Sequence, residues 1–175
     1  DGVPPGDWTV TDFAQYYNVE PLYQQGVRGQ GRTVAIVTLA AFTPADAFAY
    51  WAGVGLNVDP NRLTIVDVDG GPGPRSDASG SEETTLDVEQ SGGLAPAAKV
   101  IVYQAPNDDQ AFFDAFVRAV DDNKAETVSV SWGLWEWFDA TQSTVQVGSQ
   151  TVDFLHALES VLLQGAVQGQ SFFAS

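Results

Sequence analysis

At 175 residues the chain sits near the usual size of one domain and is long enough to bury a sizeable core. Hydrophobic residues make up 44% and charged residues only 17%, a packed globular composition rather than a disordered acidic tail. With 23 acids against 7 bases the formal net charge is −16, which argues against a nucleic-acid partner and an anionic membrane surface, since both need basic residues.

Residues 1–10, with Val3-Pro4-Pro5-Gly6, read as an extended arm ahead of an α/β core over residues 11–175. Thr11 is a candidate N-cap for a short helix whose Phe13, Tyr16 and Tyr17 suit a packed lid. Thr33 to Thr38 is apolar and β-branched without alternation, the pattern of a strand buried on both faces in a parallel sheet. Thr43-Pro44 opens a helix through Leu56, because threonine caps and proline tolerates the first helical position. Leu63 to Val68 is a second strand, and Asp69 to Gly80 is a loop by composition. The loop contains Gly-Pro-Gly-Pro, whose prolines remove the amide donors a phosphate cradle needs.

Ser81 is placed to cap a helix that carries Glu83 and Asp87 and ends at Gly92-Gly93. Ala98 to Tyr103 is a third strand, followed by a helix from Asp108 to about Asp122 with Phe112, Phe113, Phe116, Val117 and Val120 at core spacing. Thr127 to Gly133 reads as a fourth strand running into a tight exit, then a loop with Trp135, Trp137 and Phe138. A long helix is expected from about Ser149 to Gln164, burying Val152, Leu155, Leu158 and Leu162. Gln170 to Ser175 begins like a fifth strand, and more strand is expected where the chain stops. Strands and helices alternate throughout, so the fold class is α/β with a parallel sheet, and the working residues are expected at the carboxyl ends of the strands.

The chemistry is narrowed by what is missing. There is no cysteine, so no disulfide, thiolate nucleophile or Cys-type zinc site can form. The absence of methionine means that Asp1 is not an initiator; the chain reads as processed or trimmed, any targeting segment already gone. The single histidine, His156, falls mid-helix beside Glu159 and Ser160, far from any strand end, where a Ser-His-Asp triad would need it. Asp67-Val68-Asp69-Gly70 spaces oxygen ligands but lacks the rest of an EF-hand loop, so no metal ligand is assigned.

What remains is the run Ser81-Glu82-Glu83-Thr84-Thr85-Leu86-Asp87-Val88-Glu89. On a helix Glu83 and Asp87 lie one turn apart on one face. Close carboxylates share a proton, and such a pair serves as a general base at acidic pH, where histidine is protonated. The acidic composition fits the same surroundings, because self-repulsion falls as carboxylates are protonated, although halophiles share this bias. From spacing alone the other reading is favoured: the acids form a solvated helix face.

The run Gly80 to Asn107 closely resembles the sedolisin (serine-carboxyl peptidase) pattern, with its E-x-x-x-D-x-E helix, G-x-L-A-P turn and Y-x-A-P-N strand end. Val128-Ser129-Val130-Ser131-Trp132-Gly133 resembles that family's S-x-S-W-G segment, and the similarity extends from about Val10 onward. The resemblance implies a subtilisin-like parallel sheet with helices on both faces, here incomplete, and an acid-active endopeptidase made as a proenzyme and secreted or lysosomal. The family's Ser-Glu-Asp triad places its glutamate and aspartate on Glu83 and Asp87; Glu82 is the neighbouring rival but lies five residues before Asp87. Ser131, Trp132 and Gly133 fall on the family's substrate-pairing strand edge.

Two departures stand out. In the kumamolisin-type branch of the family the first strand ends in Glu-Leu-Gly-Gly, whose Glu reaches the Trp of S-W-G, whereas this chain has Thr38-Leu39-Ala40-Ala41. The family's G-D-S-G segment, with its oxyanion aspartate, and its G-T-S-x segment, with the serine, do not occur in residues 1–175. Residues 1–175 are therefore expected to form the N-terminal half of one peptidase catalytic domain. A second chain or further segment would bring the serine, the oxyanion aspartate and the calcium ligands that the resemblance implies. The expected partner besides that chain is a protein or peptide substrate, without nucleic acid or membrane. The competing reading is a non-catalytic α/β binding or prodomain-like module.

Overall fold

A computed structural model describes residues 8–133 and 143–175. Parallel strands β1 (Thr33–Thr38), β2 (Leu63–Asp67), β3 (Lys99–Gln104), β4 (Thr127–Val130) and, late in the chain, β7 (Ser171–Ala174) form one sheet in the order β2-β3-β1-β4-β7. The unalternating run of β1 is explained by a core on each side. Ile36 faces Val100, Val102, Trp51 and Val88, while Ala35 and Val37 face Phe113, Phe116 and Val128. Helices α3 (Pro44–Gly53) and α4 (Ser81–Leu94) cover the first face, and α5 (Asp109–Asp122) and α6 (Phe154–Gln168) the second. The expected α/β fold with helices on both faces is what forms.

Several local expectations are corrected. Thr9, not Thr11, caps α1 (Val10–Tyr16): its hydroxyl accepts from Asp12 N–H at 3.3 Å, and Asp12 Oδ2 accepts from Thr9 N–H at 2.7 Å. The arm expected over residues 1–10 gives way to α1 at Val10, and residues 1–7 lie outside the described residues. A short helix α2 (Glu20–Gln24) precedes β1. Helix α3 ends at Gly53 rather than Leu56, and Thr43 occupies its N-cap without a side-chain bond. Strand β4 stops at Val130, leaving Ser131 to Gly133 as its exit; Trp135, Trp137 and Phe138 lie outside the described residues.

The long last helix was expected from Ser149, but β5 (Thr144–Val147) and β6 (Gln150–Asp153) pair there as an antiparallel hairpin. Gly148 supplies the positive φ, 62°, at the first position of its Gly-Ser turn. Helix α6 then starts at Phe154, capped by Asp153, and buries Phe154, Ala157, Val161 and Gly165. Leu155 and Leu158 pack only partly against the core, as does Val152 from the hairpin.

Helix α4 positions the acidic run, and small residues let it approach the sheet. Its buried stripe is Ser81, Thr84, Val88, Gly92 and Gly93. The two glycines lie inside the helix rather than ending it. A Cβ on Gly92 would stand 2.4 Å from Cζ2 of Trp51, and one on Gly93 would stand 2.8 Å from Cγ2 of Val10. Trp51 is fully buried, and its indole N–H donates to Glu89 O at 2.9 Å. Below the helix, buried Arg62 donates to Ala95 O at 2.8 Å and Ala98 O at 2.9 Å while its guanidinium lies over the Trp51 ring. The Leu94-Ala95-Pro96 turn is thereby clamped where α4 hands over to β3.

Gly92→Ala reverses the usual gain from replacing glycine in a helix, because Trp51 has nowhere to move. Overpacking of this kind costs about 1–3 kcal/mol. Urea unfolding of Gly92→Ala beside wild type checks this; an unchanged or higher midpoint would refute the close-approach account.

Candidate functional site

The site forms where α4 passes the carboxyl ends of β1 and β4, the position such sheets reserve for ligands. Glu83 and Asp87 are half-buried on one face of α4, whereas the rival Glu82 is exposed. The acidic run is therefore not a uniformly solvated face: Thr84 and Val88 point into the core, and Leu86 is the exposed apolar residue.

Asp87 is held from the β4 exit. Ser131 Oγ donates to Asp87 Oδ1 at 2.8 Å, and Oδ2 is buried with no hydrogen-bond partner among the described residues. Burial pushes the Asp87 carboxyl up to about 6; the Ser131 hydrogen bond opposes that rise, and the neighbouring Glu83 charge adds to it. The same helix carries a further perturbed acid, Glu89, which burial and then Asp46 push up to about 7.

Trp132 is anchored by a chain of neutral groups. Its indole N–H donates to Thr38 Oγ1 at 3.0 Å, Thr38 and Thr84 hydroxyls meet at 2.6 Å, and Thr84 donates to Ala40 O at 3.0 Å. Since the Thr84 proton goes to Ala40, Thr38 must donate to Thr84, and its lone pairs are free to receive Trp132. Thr38, at the end of β1, thus holds the indole without a titratable group. Gly80, at the N-cap of α4 with φ 86°, fits under the Trp132 ring; a Cβ there would lie 2.4 Å from Cη2. The expected helix cap, Ser81, instead is fully buried, and its Oγ accepts from Ser76 N–H at 3.1 Å.

Beyond Trp132 and Gly133 lies a cavity of about 280 Å³ with an apolar floor of Leu39, Phe112 and Phe154, and with Asp108 and Asp109 on its lining. The structure thus brings Glu83, Asp87, Ser131, Trp132 and Gly133 to one end of the sheet. The sequence reading did not single out Thr84, Gly80 or the Ser131 side chain. A threonine on the inward face of a helix, one position after Glu83, was the available signal for the first. His156 is at the surface, its side chain 80% exposed and 3.5 Å from Asp153 Oδ1. Among the described residues no group of three or more His, Asp or Glu could hold a metal ion.

No protein-family model matches the chain. It is 38% identical over 134 residues to kumamolisin of Bacillus sp. (strain MN-32), an alignment covering 74% of this chain and 23% of that protein. The fold is similar to that of Pseudomonas sedolisin, a serine-carboxyl proteinase solved in complex with two molecules of pseudo-iodotyrostatin. The TM-score is 0.68 at 21% identity, covering 87% of this chain and 41% of the other. The chain thus spans about a quarter of kumamolisin and under half of the sedolisin chain. With the kumamolisin identity running through this chain and its strands and helices laid out as in sedolisin, the chain belongs to the sedolisin, or serine-carboxyl peptidase, family.

Proposed function

We propose that residues 1–175 supply the base half of an acid-active serine-carboxyl endopeptidase, the N-terminal part of its catalytic domain. The observation that carries this reading is the Glu83–Asp87 pair, half-buried beside Ser131 and Trp132, with one Asp87 oxygen buried and unpartnered. The nucleophilic serine and the oxyanion aspartate come from outside residues 1–175, on a second chain or a further segment. In acylation the serine oxygen attacks the scissile carbonyl as Glu83 takes its proton, and Glu83 then returns that proton to the leaving amine. Water repeats the cycle to release the acid product. Asp87, protonated at acidic pH, holds Glu83 and donates to it. The substrate backbone pairs along Ser131 to Gly133, the stretch that continues β4 and has no strand partner among the described residues.

The reading extends to setting and cofactor. Calcium, which the family resemblance implies, takes its ligands outside residues 1–175. Secretion as a proenzyme into acidic surroundings matches the net charge of −16. No helix among the described residues is long and apolar enough to cross a membrane.

In an acid peptidase assay on a preparation that includes the serine-bearing part, Glu83→Gln should lower kcat/KM by about 10²-fold or more, the usual weight of general acid–base catalysis. Asp87→Asn keeps the shape and should also lose activity. Wild-type rates in both variants would overturn the triad assignment.

Stability should carry the same signature. The unfolded chain releases the Asp87 proton near 3.8, whereas the native state keeps it to about 6. Over that interval the native state binds more protons, so stability falls as pH rises. Glu89, moved from 4.5 to about 7, extends the decline upward. We expect Tm to drop between about pH 4 and pH 7, with Asp87→Asn flattening the lower part of that slope and Glu89→Gln the upper part. A wild-type Tm that is constant or rising across this range would contradict the assignment.

A further inference from the structure

The exit of β4 meets α4 at two points. Trp132 reaches it through the hydroxyls of Thr38 and Thr84, and Ser131 reaches it through Asp87 directly. Thr84 precedes Asp87 by three residues, so both ties grip adjacent turns of one helix face. The first tie fixes where residues 131–132 lie, which makes the Ser131 hydroxyl a fixed donor rather than a wandering one.

Its direction matters. A serine hydroxyl has one proton, and Asp87 Oδ1 is the only acceptor it has among the described residues. While Ser131 donates to Oδ1, the proton that Asp87 binds in acid is carried by the other oxygen. That other oxygen, Oδ2, is buried and has no partner among the described residues. A buried carboxyl O–H needs an acceptor, and Glu83, one turn earlier on the same helix, is the titratable group that acts on Asp87. From the β4 side the facing group is the neutral Ser131, and the nearby Thr38 and Thr84 are neutral as well.

We propose that Ser131 is a positioning residue: its hydroxyl fixes the Asp87 carboxyl so that the shared proton stays on Oδ2 and is donated toward Glu83, the base. This rests on the peptidase reading above and gives Ser131 a side-chain task beyond any backbone pairing with substrate. The bond also favours the charged form of Asp87, so removing it lets the Asp87 proton persist to higher pH.

The test uses the complete active enzyme as wild type, Ser131→Ala and Ser131→Thr, with full pH–rate profiles and a carboxyl-carbon NMR titration of Asp87. Ser131→Ala should lower kcat about tenfold or more with KM within about threefold, since positioning is lost and ground-state binding is not. It should also move the Asp87 titration to higher pH, and Ser131→Thr, which keeps the hydroxyl, should restore both. An unchanged Asp87 titration in Ser131→Ala overturns the proposal even if the enzyme cleaves peptides. A loss that appears in KM alone, with the pH profile unmoved, also overturns it and assigns Ser131 to backbone pairing only. A titration that shifts in an enzyme with no peptidase activity supports the Ser131–Asp87 placement and brings down the peptidase reading instead.

Discussion

The distance between α4 and the sheet sets everything else at this site. Thr38 and Thr84 meet at 2.6 Å, which fixes the helix axis against the end of β1 to within a few tenths of an ångström. That spacing is possible because the inward stripe holds nothing larger than Val88. Where a bulky aromatic must fit, at Trp51, the helix presents Gly92, which offers no Cβ. A helix lifted by one methylene would break the threonine contact. The Ser131–Asp87 bond would lengthen with it, and the Trp132 indole would lose its acceptor.

The same seating explains how Trp132 is held without a carboxylate at the end of β1. An indole N–H needs an acceptor when half-buried, and either a carboxylate or a hydroxyl oxygen can serve. Thr38 serves only because Thr84 takes its proton and Ala40 O takes that of Thr84, which leaves no donor or acceptor in the chain unmatched. These hydroxyls form a relay whose state does not change with pH. Control of protonation at this end of the sheet then falls to the carboxylates of α4.

Much of this arrangement was legible in the sequence. The unalternating apolar run of β1 announced two buried faces, and the four-residue spacing of Glu83 and Asp87 announced a shared helix face. What could not be read was long-range: Thr38 and Thr84 are 46 positions apart, and no local pattern says that their hydroxyls meet. Two local signals were also misread. Gly92-Gly93 looks like a helix terminus, and only the Trp51 and Val10 side chains packed against it show why glycine is needed inside. Gly148-Ser149 between Thr-Val-Gln-Val and Gln-Thr-Val-Asp is a hairpin turn between β-branched runs. Its strands are short enough that the helical pattern beyond them dominated, and the buried stripe of α6 was displaced to Phe154, Ala157 and Val161 as a result.

Acidic residues do two separate kinds of work in this chain, and both favour low pH. Over the surface, a net charge of −16 makes the folded state repel itself as carboxylates ionise. Along α4, Asp87 and Glu89 are withdrawn from water, so each holds its proton past the point where an exposed carboxyl would release it. A helix carrying several acids against a sheet is costly where all are charged and inexpensive where the buried ones are neutral. Ser131 limits this: by donating to Oδ1 it supports the ionised form and keeps Asp87 from rising further. Burial and the Ser131 hydrogen bond together therefore leave the Asp87 carboxyl pushed up to about 6 and no further, so at acidic pH it keeps its proton.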